Sequence, residues 1–310
     1  MKIIVTGSLG FIGSRATKKF LEKGNEVFGI DSLNPTLYPN SYKEKRLEDL
    51  QRHANYTHSF HDLRDNLEER IFEGVEQVVH FAALAGLSKS WDDFKSYQDC
   101  NVFGTFQLLE GIRKFSPKAH LIHVSTSSVY GANALGDENS EINPISPYGV
   151  TKLASENIVK MHQDIYKIDA TILRLFSVYG PDQRPDMGFS NIINQIRENR
   201  TIKVFGDGRQ SRSNTYIDDV VDAVHICSMK KPSGIFNVCG TEEKTILEFI
   251  YLVGDLLGKR PQIEFEAERV GDQSRTRGDS QKLRNTTGWE PKIKFAEGVA
   301  SQVLFQAKNK

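Results

Sequence analysis

Thr6-Gly7-Ser8-Leu9-Gly10-Phe11-Ile12-Gly13 is the stretch on which the reading of this chain turns. It joins an apolar run at residues 3–5 to an amphipathic stretch at 11–22, so it reads as a strand, a glycine turn and a helix. Gly7 permits a tight turn, Gly10 lets the backbone approach a pyrophosphate at the helix N-terminus, and Gly13 allows the helix to lie close on the strand. Gly7, Gly10, Phe11, Ile12 and Gly13 are therefore the expected cradle of a dinucleotide. A second apolar run, 27–30, ends at Asp31, 18 residues after Gly13. A carboxylate there accepts hydrogen bonds from an adenosine ribose and repels a 2′-phosphate, which favours NAD over NADP.

Further along, apolar runs at 75–81, 121–125 and 172–175 alternate with helix-like stretches at 90–115 and 147–166. That alternation predicts βαβ units and a Rossmann-type, doubly wound α/β fold with a parallel sheet. From Gly180 the texture changes to turns, with helices expected at 191–200, 218–229 and 245–257 and a strand at 202–205. We expect residues 1–179 to form the NAD-binding domain and 180–310 a smaller α/β substrate lobe, with some exchange of segments. Ligands of such folds bind in the cleft at the carboxyl ends of the strands.

The 310 residues carry 40 Lys and Arg against 40 Asp and Glu. Zero net charge argues against nucleic acid or an anionic membrane surface as a partner. Any polyanionic ligand must then be met by a local cluster of arginine or lysine. Cys100, Cys227 and Cys239 form no CxxC pair, which suggests neither a metal site nor a disulfide framework. With no signal-peptide-like or membrane-length apolar stretch, the expectation is a soluble, cytoplasmic protein.

Tyr148-Gly149-Val150-Thr151-Lys152 places a phenol and an ammonium one turn apart on a helix face. A neighbouring Lys⁺ lowers a phenol's pKa, so the pair suits proton abstraction from a sugar hydroxyl. Upstream, Ser125-Thr126-Ser127-Ser128 ends a strand with four hydroxyls able to bind a substrate's reacting oxygen.

With these residues in place the chain resembles the extended short-chain dehydrogenase/reductase family, and within it the nucleotide-sugar epimerases. The likeness extends through Asp62-Leu63, His80-Phe81-Ala82-Ala83, Asn101 and Tyr216-Ile217-Asp218-Asp219-Val220. It implies that Thr126, Tyr148 and Lys152 are catalytic. It also implies that Asp62 and Leu63 contact adenine, and that Phe81, Ala82, Ala83 and Asn101 complete the NAD site. Related 4,6-dehydratases carry an Asp-Glu pair directly after the catalytic Thr, where this chain has Ser127 and Ser128. Without that acid, elimination and decarboxylation lose their proton donor, and epimerisation remains.

A narrower resemblance lies in Ser177-Val178-Tyr179-Gly180-Pro181-Asp182-Gln183-Arg184-Pro185-Asp186-Met187, which is similar to UDP-glucuronate 4-epimerases. It implies that Arg184, assisted by Ser177, meets the sugar carboxylate with a two-pronged guanidinium. By the same resemblance Arg212 and Arg269 bind the diphosphate, Asp272 the nucleotide ribose, and Lys203 and Phe205 the uracil. Ser127, Ser128 and Thr276 would line the sugar.

The implied reaction is NAD-dependent C4 epimerisation of UDP-glucuronate to UDP-galacturonate through a 4-keto intermediate. UDP-glucose/UDP-galactose, N-acetyl or pentose analogues are the alternative substrates, and a non-catalytic NAD-binding sensor is a remote third reading. The family resemblance further implies a homodimer through helices 90–115 and 147–166. Residues 307–310 are expected to fray.

Overall fold

The computed structural model describes residues 1–269 and 271–308. Seven parallel strands form the main sheet: β1 Lys2–Thr6, β2 Glu26–Ile30, β3 Tyr56–Ser59, β4 Gln77–His80, β5 His120–Thr126, β6 Ala170–Leu175 and β7 Gly234–Val238. Their spatial order is β3-β2-β1-β4-β5-β6-β7. The order reverses between β1 and β4, and at that switch point the crevice beyond the strand ends opens. Ile3, Ile4 and Val5 are wholly buried because helices cover both faces of the sheet.

The chain passes between its two parts in both directions. β7 comes from beyond residue 180 yet pairs with β6. Conversely, strand Asn133–Gly136 leaves the first part to pair with Arg275–Gly278 at the edge of a four-stranded sheet. That sheet is completed by Ser211–Ser213 and Glu243–Thr245.

Three expectations about elements need correction. The single helix expected at 90–115 is broken into Lys89–Asp92, Phe94–Gln98, a π-helical turn Asp99–Phe103, and Gly104–Phe115. Asp93 leaves helical geometry, at φ −139° and ψ 60°, and caps the next segment by accepting from the Ser96 N–H. The helix expected at 191–200 is Gly188–Arg197, and Asn199 follows it in the left-handed region. At the other end of the chain, the anticipated fray is helical through Lys308, in Phe295–Lys308, while Asn309 and Lys310 lie outside the described residues.

The elements not anticipated include β3, β7, strand Asn133–Gly136 and helix Ser41–Gln51. The helix has no apolar stripe because its buried residues are Lys43, Arg46 and Leu50. Its inward face is held by charge pairing, which hydrophobic periodicity does not register.

Beneath the strand ends, Thr6, His80 and His123 are neighbours across β1, β4 and β5. His80 shares hydrogen bonds with Thr6 Oγ1 through Nδ1 at 2.7 Å and with Thr105 Oγ1 through Nε2 at 2.9 Å. Burial pushes His80 down to about 3, and the Lys152 charge acts in the same direction. An unfolded histidine binds its proton near 6.5, so between that value and about 3 the unfolded chain holds more protons than the folded one. Stability from neutral His80 is complete above pH 6.5 and is lost as pH falls, by about 1.4 kcal/mol per unit inside that window. The urea midpoint is expected to drop between pH 7 and pH 5, and to drop less in His80→Gln. Equal drops in the two proteins would remove His80 as the cause.

Candidate active site

A cavity of about 680 Å³ runs from the glycine turn, past the ends of β1, β4 and β5, to Arg212 and Arg269. At its first end Gly7 sits at φ +68°, and a Cβ there would lie 2.8 Å from the Ala82 nitrogen. A Cβ on Gly13 would lie 2.1 Å from the Gly7 carbonyl oxygen, so the turn and helix close on each other as the sequence requires. Phe11, Ile12, Phe81, Ala82 and Ala83 share this wall. The glycine cradle, the helix N-terminus and the acidic residue at the end of β2 fit a dinucleotide.

Asp31 is buried and already engaged. Its Oδ1 accepts from Lys43 Nζ at 2.7 Å and the Leu33 N–H at 3.1 Å, and its Oδ2 accepts from the Leu9 N–H at 3.3 Å. Oδ2 keeps acceptor capacity for a ribose hydroxyl. Arg46, one turn beyond Lys43, donates to the Leu9 carbonyl at 3.0 Å and to the Asp182 carboxylate at 2.6 Å. The helix overlooked in the sequence thus ties the glycine turn to the loop that carries Arg184. Asp62 and Leu63 lie on the same cavity, and Arg64 grips both Asp62 oxygens at 2.9 and 2.7 Å. That grip holds the Asp62 carboxyl below its usual range.

Along the catalytic wall Thr126 ends β5, while Tyr148 and Lys152 project from helix Pro147–Tyr166. The helix starts cleanly: the Ser146 side chain accepts from the Gly149 N–H at 3.1 Å, and Pro147 occupies the first turn. Burial pushes the Tyr148 phenol up, and a Thr126 hydrogen bond and the Arg184 charge pull the other way. The expectation that Lys152 brings the phenol down is therefore not met here. The larger effect is burial, and the cation acting on Tyr148 is Arg184. Lys152 is itself pushed down to about 8 by burial, with Glu156 opposing.

Behind this wall lies a charged network that was missed in the sequence. Ser125 Oγ donates to Glu156, and Arg174 grips both Glu156 oxygens at 3.0 and 2.8 Å. Arg174 also donates to Tyr130 Oη at 2.9 Å, which in turn donates to Asn237 at 2.7 Å. Glu156 follows Lys152 by one turn, a spacing that continues Tyr148-x-x-x-Lys152 and was the available signal.

At the far end Ser127, Ser128, Ser177, Arg184, Arg212, Arg269 and Asp272 all line the cavity. Arg212 donates to Asp272 Oδ1 at 3.0 Å, and the Arg269 guanidinium lies 3.5 Å from the centre of the Phe205 ring. Gln273, unremarked in the sequence, lines the cavity and donates to the Gly131 carbonyl at 2.7 Å, which fixes the loop after Ser128.

Four expected site residues stand elsewhere. Asn101 is wholly buried, and its amide clamps Leu84 through N–H and C=O at 2.8 and 3.0 Å. Its place in the π-helical turn serves that clamp. Lys203 pairs with Glu266 at 2.7 Å on an exposed two-stranded parallel sheet, Ile202–Phe205 with Ile263–Glu266. Phe205 serves as the platform under Arg269. Thr276 is wholly buried in the four-stranded sheet, away from the cavity wall.

A family model described as GDP-mannose 4,6 dehydratase matches residues 4–302. Among curated proteins, YtcB of Bacillus subtilis (strain 168), named an uncharacterized UDP-glucose epimerase, is 35% identical over 98% of both chains. A UDP-glucuronate 4-epimerase of Thermodesulfobacterium geofontis is 35% identical, covering 99% of this chain and 96% of its own. Among solved structures, UDP-glucuronic acid 4-epimerase from Bacillus cereus in complex with UDP-glucuronic acid and NAD matches with TM-score 0.96 and 32% identity over 99% of both chains. End-to-end likeness of this kind, on a glycine turn, Tyr148/Lys152 pair and cavity placed as described, makes the chain a member of the GDP-mannose 4,6-dehydratase family of extended short-chain dehydrogenases/reductases.

Proposed function

We propose that this protein is an NAD-dependent UDP-sugar 4-epimerase whose substrate is UDP-glucuronate and whose product is UDP-galacturonate. The observation that carries the reading is the sharing of one cavity by Thr126, Tyr148, Lys152 and Arg184, with only hydroxyls at 127 and 128. The relatives named UDP-glucuronate 4-epimerase support the same substrate.

Bound against the glycine turn, NAD supplies the hydride acceptor and donor for C4. Gly7, Gly10, Phe11, Ile12, Gly13 and Asp31 hold its adenosine and pyrophosphate side, with Asp62, Leu63 and Phe81–Ala83 around them. Tyr148 takes the C4 hydroxyl proton, directly or through Thr126, and returns it after the sugar has turned. Lys152 orients the nicotinamide ribose, while the Thr126 hydrogen bond and the Arg184 charge favour the phenolate against burial. Ser127 and Ser128 hold sugar hydroxyls but are too weakly acidic to protonate carbon, so elimination lacks its acid. Arg212 and Arg269 anchor the diphosphate while the sugar rotates, and Asp272 accepts from the ribose.

The 4-keto intermediate of a uronate is a β-keto acid. Arg184 and Ser177 keep its carboxylate out of line with the ketone, so that CO₂ is retained. Incubation with UDP-glucuronate and, separately, UDP-glucose, with products resolved by NMR, tests the substrate. Turnover of UDP-glucose alone would discard the uronate. In Arg184→Ala the kcat/KM for UDP-glucuronate is expected to fall about a hundredfold, as for loss of a charge-assisted contact of roughly 1.5–3 kcal/mol and its geometry. UDP-glucose should change several-fold less.

We further propose a cytoplasmic homodimer. Phe103, Val150, Ile165 and Tyr166 are exposed apolar side chains on the two helical segments expected at the dimer contact. All three cysteines are free, as suits a reducing compartment, and among the described residues no helix is long and apolar enough to cross a membrane. The parts 1–179 and 180–310 we read as the NAD-binding domain and the nucleotide-sugar lobe, with β7 and strand Asn133–Gly136 exchanged between them.

A further inference from the structure

Arg184 faces a carboxylate of its own chain. Its Nε and Nη2 donate to the two oxygens of Asp186 at 3.1 and 2.7 Å, a parallel two-bond grip. The second Nη2 hydrogen goes to the Ala85 carbonyl at 3.0 Å, and the guanidinium lies 5.2 Å from the centre of the Tyr38 ring. Arg184 is thereby fixed on three sides, with Nη1 left for a ligand. Both side chains line the cavity that holds Tyr148.

We propose that Asp186 is a specificity-determining residue that sets the preference between acidic and neutral sugars. The inference rests on the reading of Arg184 as the partner of the substrate carboxylate. A planar guanidinium presents two edges suited to a two-bond grip on a carboxylate; Asp186 occupies the Nε/Nη2 edge, and the Ala85 carbonyl takes the Nη2 hydrogen of the Nη1/Nη2 edge. A uronate must displace Asp186 or bind beside it through Nη1 alone. In the second case two carboxylates approach one cation, and their repulsion opposes binding. A neutral hydroxymethyl group meets no such opposition. It donates a hydrogen bond to Asp186, which an ionised carboxylate, being an acceptor only, cannot do. The same residue therefore disfavours the acidic sugar and favours the neutral one. Asp186→Asn keeps the shape, removes the charge and adds a donor that a uronate can accept from.

The test measures affinities of UDP-glucuronate and UDP-glucose by calorimetry, with NAD present, in a Tyr148→Phe background that slows turnover. The ratio of the two affinities is expected to move about tenfold toward UDP-glucuronate in Asp186→Asn and to stay within threefold in Asp186→Glu. An unchanged ratio in Asp186→Asn, or an equal shift in Asp186→Glu, would overturn the inference. The Arg184→Ala comparison separates the two levels. Selective loss of uronate there, with a flat Asp186→Asn ratio, discards Asp186 alone. Equal losses on both sugars discard the Arg184 reading and this inference with it.

Discussion

Tyr148→Phe is expected to lower kcat for UDP-sugar epimerisation by about 10²–10⁴-fold, the usual range for removing a general acid–base group. The substitution takes away one oxygen and leaves the ring, which packs edge-on against Tyr97 at 6.3 Å between centroids. Packing is therefore conserved, and the effect falls on proton transfer. Thr126 can hydrogen-bond the substrate hydroxyl but cannot serve as base in its place, because an aliphatic hydroxyl is far less acidic than a phenol. Affinity for UDP-glucuronate, read by calorimetry with NAD present, should stay within a few-fold. A kcat within threefold of the parent would remove Tyr148 as the base. A matching collapse in affinity would make it a binding residue.

The second large effect is on stability. Arg174 and Glu156 are each wholly buried and grip one another with two hydrogen bonds. Removing one member of such a pair strands the other, at a cost of about 3–5 kcal/mol. Arg174→Met should therefore lower the urea midpoint substantially, and it also deprives Tyr130 Oη of a donor. Arg174→Met combined with Glu156→Met should recover much of the loss, because two apolar side chains of similar size leave no uncompensated charge. A single variant within about 1 kcal/mol of the parent, from the same denaturation series, would show the pair to be of little account. The pair also matters to the site. Glu156 receives the Ser125 hydroxyl and opposes the burial that pushes Lys152 down. Lys152 in the Arg174→Met protein thus faces an altered charge behind it.

Asp31 shows how far a pattern reaches. The interval from Gly13 to Asp31 follows from one strand and one helix of ordinary length, so a carboxylate on the cavity at the end of β2 could be placed before any coordinates. Its partner Lys43 could not, because it lies on a helix whose inward face is polar and has no periodic signal. Arg184 and Asp186 make a similar contrast. The motif singled out Arg184 alone, and only side-chain direction shows that Asp186, two residues on, fills its grip.

Thr276, Lys203 and Asn101 stand off the cavity wall for a related reason. Family position identifies a neighbourhood, while a strand's alternation, or a π-helical turn that clamps Leu84, decides which way the side chain faces. Local regularities in this chain, namely glycine spacing, strand and helix periods and the Tyr148/Lys152 interval, determine the fold class and the cofactor half of the cleft, because they depend on backbone geometry a few residues long. Which carboxylate each arginine holds, and so what charge the sugar meets, is decided only in three dimensions. Those pairs join residues as far apart as Arg46 and Asp182, and their energies depend on distance and burial that no local pattern encodes.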